Sequence, residues 1–200
     1  MTKNILQNDE PQTVISDPTA NAIRQVLDKN LLEQRMVFLW GAVEEDNART
    51  IVEQLCYLSA RDAAKPIHFY INSPGGRVTA GNAIYDIMRH IPAPVYTYCL
   101  GQAASMASIL LSSGDPGNRY IFPMAEVMIH QPSMGSFRAR SWEIEIHARQ
   151  IARAKEQAAG ILAANCGKDI ATIMQDFDKD YWMDAREAIA YGIVDKLVVN

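Results

Sequence analysis

The sequence predicts an α/β fold with a largely parallel sheet, because short apolar runs alternate with amphipathic, helix-spaced stretches along its 200 residues. Two further observations agree. Turns of small residues follow two of the apolar runs, at Asn72-Ser73-Pro74-Gly75-Gly76 and Gly101-Gln102-Ala103-Ala104-Ser105, as where a strand feeds a helix. No internal repeat or low-complexity tract interrupts the pattern, and the length suits a single domain, residues 1–200, around one core.

Residues 1 to 16 lack periodicity and are read as a flexible N-terminal segment. Asp17-Pro18 then offers a cap and a proline at the first helical position, so a helix is expected to about Leu32. Met36 to Trp40 reads as a strand. Ile51, Leu55 and Leu58 space an amphipathic helix after Asp46. A second strand, Ile67 to Ile71, ends at the Asn72 to Gly76 turn, and a helix is expected from about Ala80 to Arg89. Pro94 to Leu100 is the next strand, with a helix after Ser105 and further strands around Arg119 to Phe122 and Glu126 to His130. Gln131 to Arg140 carries proline, glycine and serine, and precedes a long helix from Ser141 to Ala164 closed by Gly167. A shorter helix covers Ile170 to Phe177, and Asp178 to Met183 reads as a non-helical joint. Asp184 and Glu187 then form a capping box, Gly192 closes that last helix, and Ile193 to Val199 supplies a final strand.

Composition excludes several classes of function. The net charge of −4, with Arg138, Arg140, Arg149 and Arg153 interleaved among Glu143 and Glu145, leaves no basic footprint for nucleic acid. Three cysteines, Cys56, Cys99 and Cys166, form no C-x-x-C pair and read as structural thiols in a reducing compartment, without zinc or disulfides. No apolar run approaches the roughly 18 residues of a membrane span, and Met1 to Thr13 is polar, so a soluble cytoplasmic protein is expected.

Ser105 is the residue most suited to chemistry. It follows an apolar strand and opens a helix, where a sharp turn lifts a hydroxyl out of the sheet; small neighbours Ala103 and Ala107 are expected to leave room for a substrate carbonyl. The Met106 N–H is then placed to meet a developing oxyanion, and the Gly76 amide offers a second donor. A serine at a helix start is also a common cap, and Pro-Gly-Gly a common simple turn. Among the four histidines, His130 alone closes an apolar strand where the chain leaves the core, and it is the candidate base. His147 lies in a charged helical segment, His68 alternates along a strand, and His90 ends a helix. Asp178 and Asp180 are the candidate carboxylates for that imidazole, with Tyr181 and Trp182 expected to shield one of them; ordinary turn residues are the alternative.

In this order, Ile71 to Gly76, Gly101 to Met106, Met128-Ile129-His130-Gln131-Pro132, Glu143 to Arg149 and Asp178-Lys179-Asp180 resemble the proteolytic subunit of the Clp protease, the ClpP family of serine peptidases. The resemblance spans about Leu31 to Val198. It implies Ser105 as nucleophile, His130 as general base and then acid, Asp180 as orienting carboxylate, and Gly76 and Met106 as oxyanion donors, with no metal and no cofactor. It further implies a crotonase-like β/α superhelix with a protruding strand-helix handle, here 132 to about 164. Self-assembly into heptameric rings, a double-ring tetradecamer, an AAA+ unfoldase partner and unfolded polypeptide substrates follow from the same resemblance.

The sequence departs from the family pattern in several places. Ala107 stands where glycine is usual, and the handle turn Ser133 to Arg140 has a different composition with about one extra residue. The usual axial segment is replaced by Asn21 to Glu33, which resembles a divergent second ClpP paralogue able to join mixed particles. The family's unfoldase-docking positions carry His68, Tyr70, His90, Tyr98, Leu100 and Val198. Two alternatives to an active peptidase subunit therefore stand beside it: a mainly structural or regulatory paralogue, and a crotonase-type acyl-CoA enzyme, which shares the fold.

Overall fold

The computed structural model describes residues 18–133 and 140–199. The expected flexible segment, the Asp17 cap and residues 134–139 of the handle turn lie outside the described residues. Element order is α1 (Pro18–Glu33), β1 (Met36–Trp40), α2 (Glu45–Arg61), β2 (Ile67–Ser73), α3 (Val78–His90), β3 (Val95–Ala104) and α4 (Met106–Ser112). It continues with β4 (Arg119–Ile121), β5 (Glu126–Ile129), α5 (Ser141–Cys166), α6 (Ile170–Asp176), β6 (Tyr181–Met183), α7 (Ala185–Tyr191) and β7 (Lys196–Leu197). Strands and helices alternate as expected, and the seven-stranded sheet is parallel except where β6 runs antiparallel to β5.

The sheet has the order β1-β2-β3-β4-β7, with β5 added beside β3. β3 is long enough to serve two neighbours in succession: Thr97 to Cys99 pair with β4, and Gln102 to Ala104 pair with β5. Between these halves the chain bulges. Ile71 faces Cys99, but Ser73 faces Ala103, so β3 has gained two residues relative to β2. Gly101 absorbs the excess at φ 62°, where a side chain would sit 2.9 Å from the Asn72 Oδ1. Asn72 Oδ1 accepts the Gln102 N–H at 3.3 Å, which holds the bulge against the end of β2.

One face of the sheet is buried. Along β2, Ile67, Phe69 and Ile71 are inaccessible while His68, Tyr70 and Asn72 alternate on the half-exposed side, as the strand period requires. On that second face Phe38, Tyr70, Tyr98 and Tyr120 stand in register across four strands, with stacked ring centroids 5.2, 4.5 and 4.8 Å apart. Lys196 lies over the last ring, and His68 Nδ1 meets the Tyr98 hydroxyl at 2.9 Å. Burial, joined by the neighbouring tyrosines, pushes Tyr98 up to about 12, so it stays a neutral hydroxyl in this row.

α4 is buried on every side, packed on β3 and between α3 and α5. Its hydroxyls cost little there because each finds a backbone acceptor: Ser108 donates to the Ser105 carbonyl, and Ser112 and Ser113 donate to Ile109. α5 leaves this packed region at its N-terminal end, where Trp142, Ile144 and Ile146 are exposed; Ile161, nearer its C-terminus, packs on the core. The apolar positions of α5 therefore divide between two environments.

Two expected elements differ. Tyr181 to Met183 lie within the expected joint yet form β6, because these β-prone residues pair with Ile129 to Val127 across the sheet edge. The last strand is only Lys196–Leu197: Ile193 and Val194 are buried outside the ladder, and β4 offers three residues to pair against.

Arg119 closes the far end of the molecule. Its guanidinium donates to Asp195 from Nε and Nη2 at 2.9 and 2.5 Å, and to the Asn165 carbonyl at 2.9 Å, joining β4, α5 and the turn before β7. The side chains are 8% and 19% exposed. Burial pushes the Asp195 carboxyl up, but the hydrogen bonds and charge of Arg119 outweigh it and leave the pKa below its ordinary value. Such a depressed carboxylate stabilises the fold above the unfolded pKa of about 4 and loses that contribution as pH falls through the folded value. Arg119→Met is expected to cost about 3–5 kcal/mol in urea unfolding at neutral pH, a deficit that shrinks below about pH 4. An unchanged midpoint at pH 7 would contradict this role.

Candidate active site

Three sequence-predicted residues converge at the C-terminal ends of β3 and β5. Ser105 follows the bulged half of β3, His130 follows β5, and Asp180 precedes β6. His130 Nε2 lies 2.8 Å from Ser105 Oγ, and His130 Nδ1 lies 3.1 Å from Asp180 Oδ1. A carboxylate accepts only, so Nδ1 carries the ring proton and Nε2 is left to accept the Ser105 hydroxyl.

The backbone explains why Ser105 is available. Its φ of 55° and ψ of −125° are strained for a residue with a side chain, and its hydroxyl makes no cap to α4. The surrounding chain holds it there: the Ser105 N–H donates to the Met128 carbonyl at 2.9 Å, and the Ser105 carbonyl accepts from both the N–H and the hydroxyl of Ser108. The ordinary-cap alternative is thereby excluded. Gly75, at φ 90°, packs against the same turn, and a Cβ there would lie 2.7 Å from Ser105 Cβ and 3.0 Å from the Met106 nitrogen. Gly76 bridges to Val43. Neither the Gly76 nor the Met106 N–H is engaged by a turn, cap or loop hydrogen bond among the described residues.

A cleft opens beside the hydroxyl, walled by Met106, Ile109, Pro132, Ala154, Ala158 and Ile161. The space enclosed there is only about 40 Å³, well below the roughly 300 Å³ at which small-molecule pockets begin, so it is a shallow apolar recess. Ala103 and Ala107 do not take the expected part in this wall. Both are fully buried, so their small size lets β3 and α4 pack closely. The expected shielding of Asp180 is also absent in the single chain: its side chain is 63% exposed, and Tyr181 and Trp182 are themselves exposed.

The other candidates fall elsewhere. Asp178 makes no hydrogen bond or ion pair with His130 among the described residues; its N–H closes the turn onto Gln175. His68 belongs to the aromatic row, His90 ends α3, and His147 Nδ1 lies 3.3 Å from Gln150 Oε1 on α5. Burial pushes the Cys99 thiol up to about 12 and the Cys166 thiol to about 11, which removes both as rival nucleophiles. No cluster of three metal-ligating side chains occurs among the described residues, and no helix there is long and apolar enough to cross a membrane.

Sequence reasoning missed three contributors. Gly75, rather than Gly76, touches the Ser105 turn; Asn72 pins the bulge; and Lys155 reaches Gln131, the residue after His130, at 2.8 Å. The adjacent Gly75-Gly76 pair was the one available signal for the first of these, whereas Asn72 and Lys155 act through contacts with residues far away in the chain.

A parallel sheet that delivers a strained hydroxyl to an imidazole beside an apolar cleft has the architecture of a hydrolase working by acyl transfer. The family model described as Clp protease matches residues 19–200. The chain belongs to the Clp protease family, a family of peptidases, as the resemblance in its motifs implied.

Gly75→Ala tests the fit of the turn. Its methyl must displace Ser105 or Met106, and a misplacement of about 1 Å is enough for a roughly hundredfold loss of peptide hydrolysis. Circular dichroism should show the helices retained; hydrolysis at the parent rate would contradict the close packing.

Proposed function

We propose that this chain is the serine endopeptidase subunit of a Clp-type protease, hydrolysing unfolded polypeptides inside a ring-shaped chamber. The hydrogen-bonded sequence Ser105–His130–Asp180 carries this reading. In it, His130 takes the Ser105 proton as the oxygen attacks the scissile carbonyl, and Asp180 stabilises the imidazolium. The Gly76 and Met106 amides receive the oxyanion. His130 then returns its proton to the leaving amine, and water, activated by the same imidazole, releases the acyl group.

Two exposed apolar groups support assembly. Ile23, Val26, Leu27 and Trp40 lie on and beside α1, while Trp142, Ile144 and Ile146 lie on the projecting end of α5. They are suited to contacts within a ring and between rings respectively, and a neighbouring subunit would supply the cover that Asp180 lacks. The aromatic row on the open sheet face, which contains Tyr70 and Tyr98, supports docking of an AAA+ unfoldase there. His68 joins the row through the Tyr98 hydroxyl instead of standing as a solvated cation. Burial, with a smaller part from the Arg35 charge, lowers its pKa. The mixed-particle reading rests on the altered first helix, and a crotonase-type acyl-CoA reaction would leave Ser105 without a task.

Ser105→Ala and His130→Ala should each reduce kcat for a fluorogenic peptide by on the order of 10⁶, and Asp180→Asn by roughly 10⁴. Native mass spectrometry should show the variants assembling like the parent. Undiminished turnover by Ser105→Ala would remove the serine mechanism, and saturable CoA binding would then favour the acyl-CoA alternative.

A further inference from the structure

The base is fixed by a second set of contacts that lies outside the three interacting residues. Strand pairing of β5 ends at Ile129, opposite Tyr181, so His130 is the first residue beyond the ladder. What holds the chain immediately after it is Gln131. The Gln131 N–H donates to the Phe177 carbonyl at 3.2 Å, and Phe177 is buried at the end of α6, just before the joint that carries Asp180. The Gln131 side-chain oxygen accepts a charge-assisted hydrogen bond from Lys155 Nζ at 2.8 Å. Lys155 stands on α5 between Ala154 and the cleft residues Gln157 and Ala158, and Ala154 lines the cleft as well. Gln131 therefore ties the base to both the carboxylate joint and the cleft wall.

We infer that Gln131 and Lys155 are positioning residues of the peptidase, forming a brace that keeps the His130 ring in line with Ser105. The inference rests on the serine-peptidase reading and adds residues to it. An imidazole at the free end of a strand has rotational and translational slack of the kind that lowers catalysis while leaving folding intact. The Phe177 bond fixes one edge of the following peptide, and the Lys155 bond fixes the side chain on it. A neutral carboxamide suits this place because it accepts from lysine without adding a second carboxylate next to Asp180, which would compete for the imidazolium.

The test uses the assembled full-length protein, a fluorogenic peptide, and a fluorophosphonate with short alkyl groups. Lys155→Met keeps the stem and removes the donor; Lys155→Arg retains a donor. With the brace broken, Lys155→Met lowers kcat and the rate of Ser105 labelling together, by about tenfold, leaves KM within about twofold, and leaves the particle mass unchanged. Lys155→Arg recovers most of both rates. Should Lys155→Met fail to assemble, Gln131→Met removes the acceptor while leaving α5 intact, and the same paired loss is expected. Labelling at the parent rate with a raised KM would mean that the contact only shapes the cleft, and would overturn the brace. Equal slowing in Lys155→Met and Lys155→Arg, or parent-level kcat in the variants, also overturns it. A parent that is neither labelled nor active overturns the serine-peptidase reading and the brace with it, whereas a labelled parent beside equally labelled variants overturns the brace alone.

Discussion

The hydrogen bond from the Gln102 N–H to the Asn72 side chain, at the bulge around Gly101, is the constraint on which the site depends. β3 pairs first with β4 and then with β5, and a regular strand would continue along the direction set by its first partner. Two extra residues relative to β2 let it change partners. Ala103 and Ala104 then lie against Val127 and Met128, and the next residue, Ser105, meets the chain just beyond β5. The short distance from Ser105 to His130 is thus a consequence of sheet register. Close packing of the fully buried Ala103 and Ala107 preserves it.

Strain and hydrogen bonding are balanced at the turn. A non-glycine residue at φ 55° is typically disfavoured by about 1–3 kcal/mol, and such a conformation persists only where its surroundings fix it. Here the Met128 carbonyl, the Ser108 N–H and hydroxyl, and the backbone of Gly75 do so. The electrostatic side of the site is less complete in one chain. Asp180 meets the imidazole from a water-exposed position, where the attraction of a carboxylate for an imidazolium is weakened by solvent. A subunit contact that excludes water would strengthen that attraction without moving any of the three side chains, which gives assembly a physical means of raising activity.

Much of the architecture was legible because it follows from period and punctuation. The alternation of β2 and the capping residues Asp184, Gly167 and Gly192 all take the places their chemistry predicts. Ser105, His130 and Asp180 were legible as residue types at the ends of elements, but their meeting depends on the partner change in β3, which no local pattern encodes. β6 escaped notice because three residues are too few to show a period. Ala103 and Ala107 were misplaced for a related reason: small size fits a cleft and a tight core equally well, and only packing distinguishes them. Gln131 lies in the loop after β5 and Lys155 on α5, so their contact could not be read from either segment alone.

The most direct measurement is the intact mass and peptide map of the full-length protein after treatment with a fluorophosphonate, with native mass spectrometry on the same sample. A single adduct on Ser105, in a particle of ring size and absent from His130→Ala, is the predicted result. An adduct on another residue, or unmodified Ser105 in a fully assembled particle that nevertheless hydrolyses peptides, would contradict a serine nucleophile at this position.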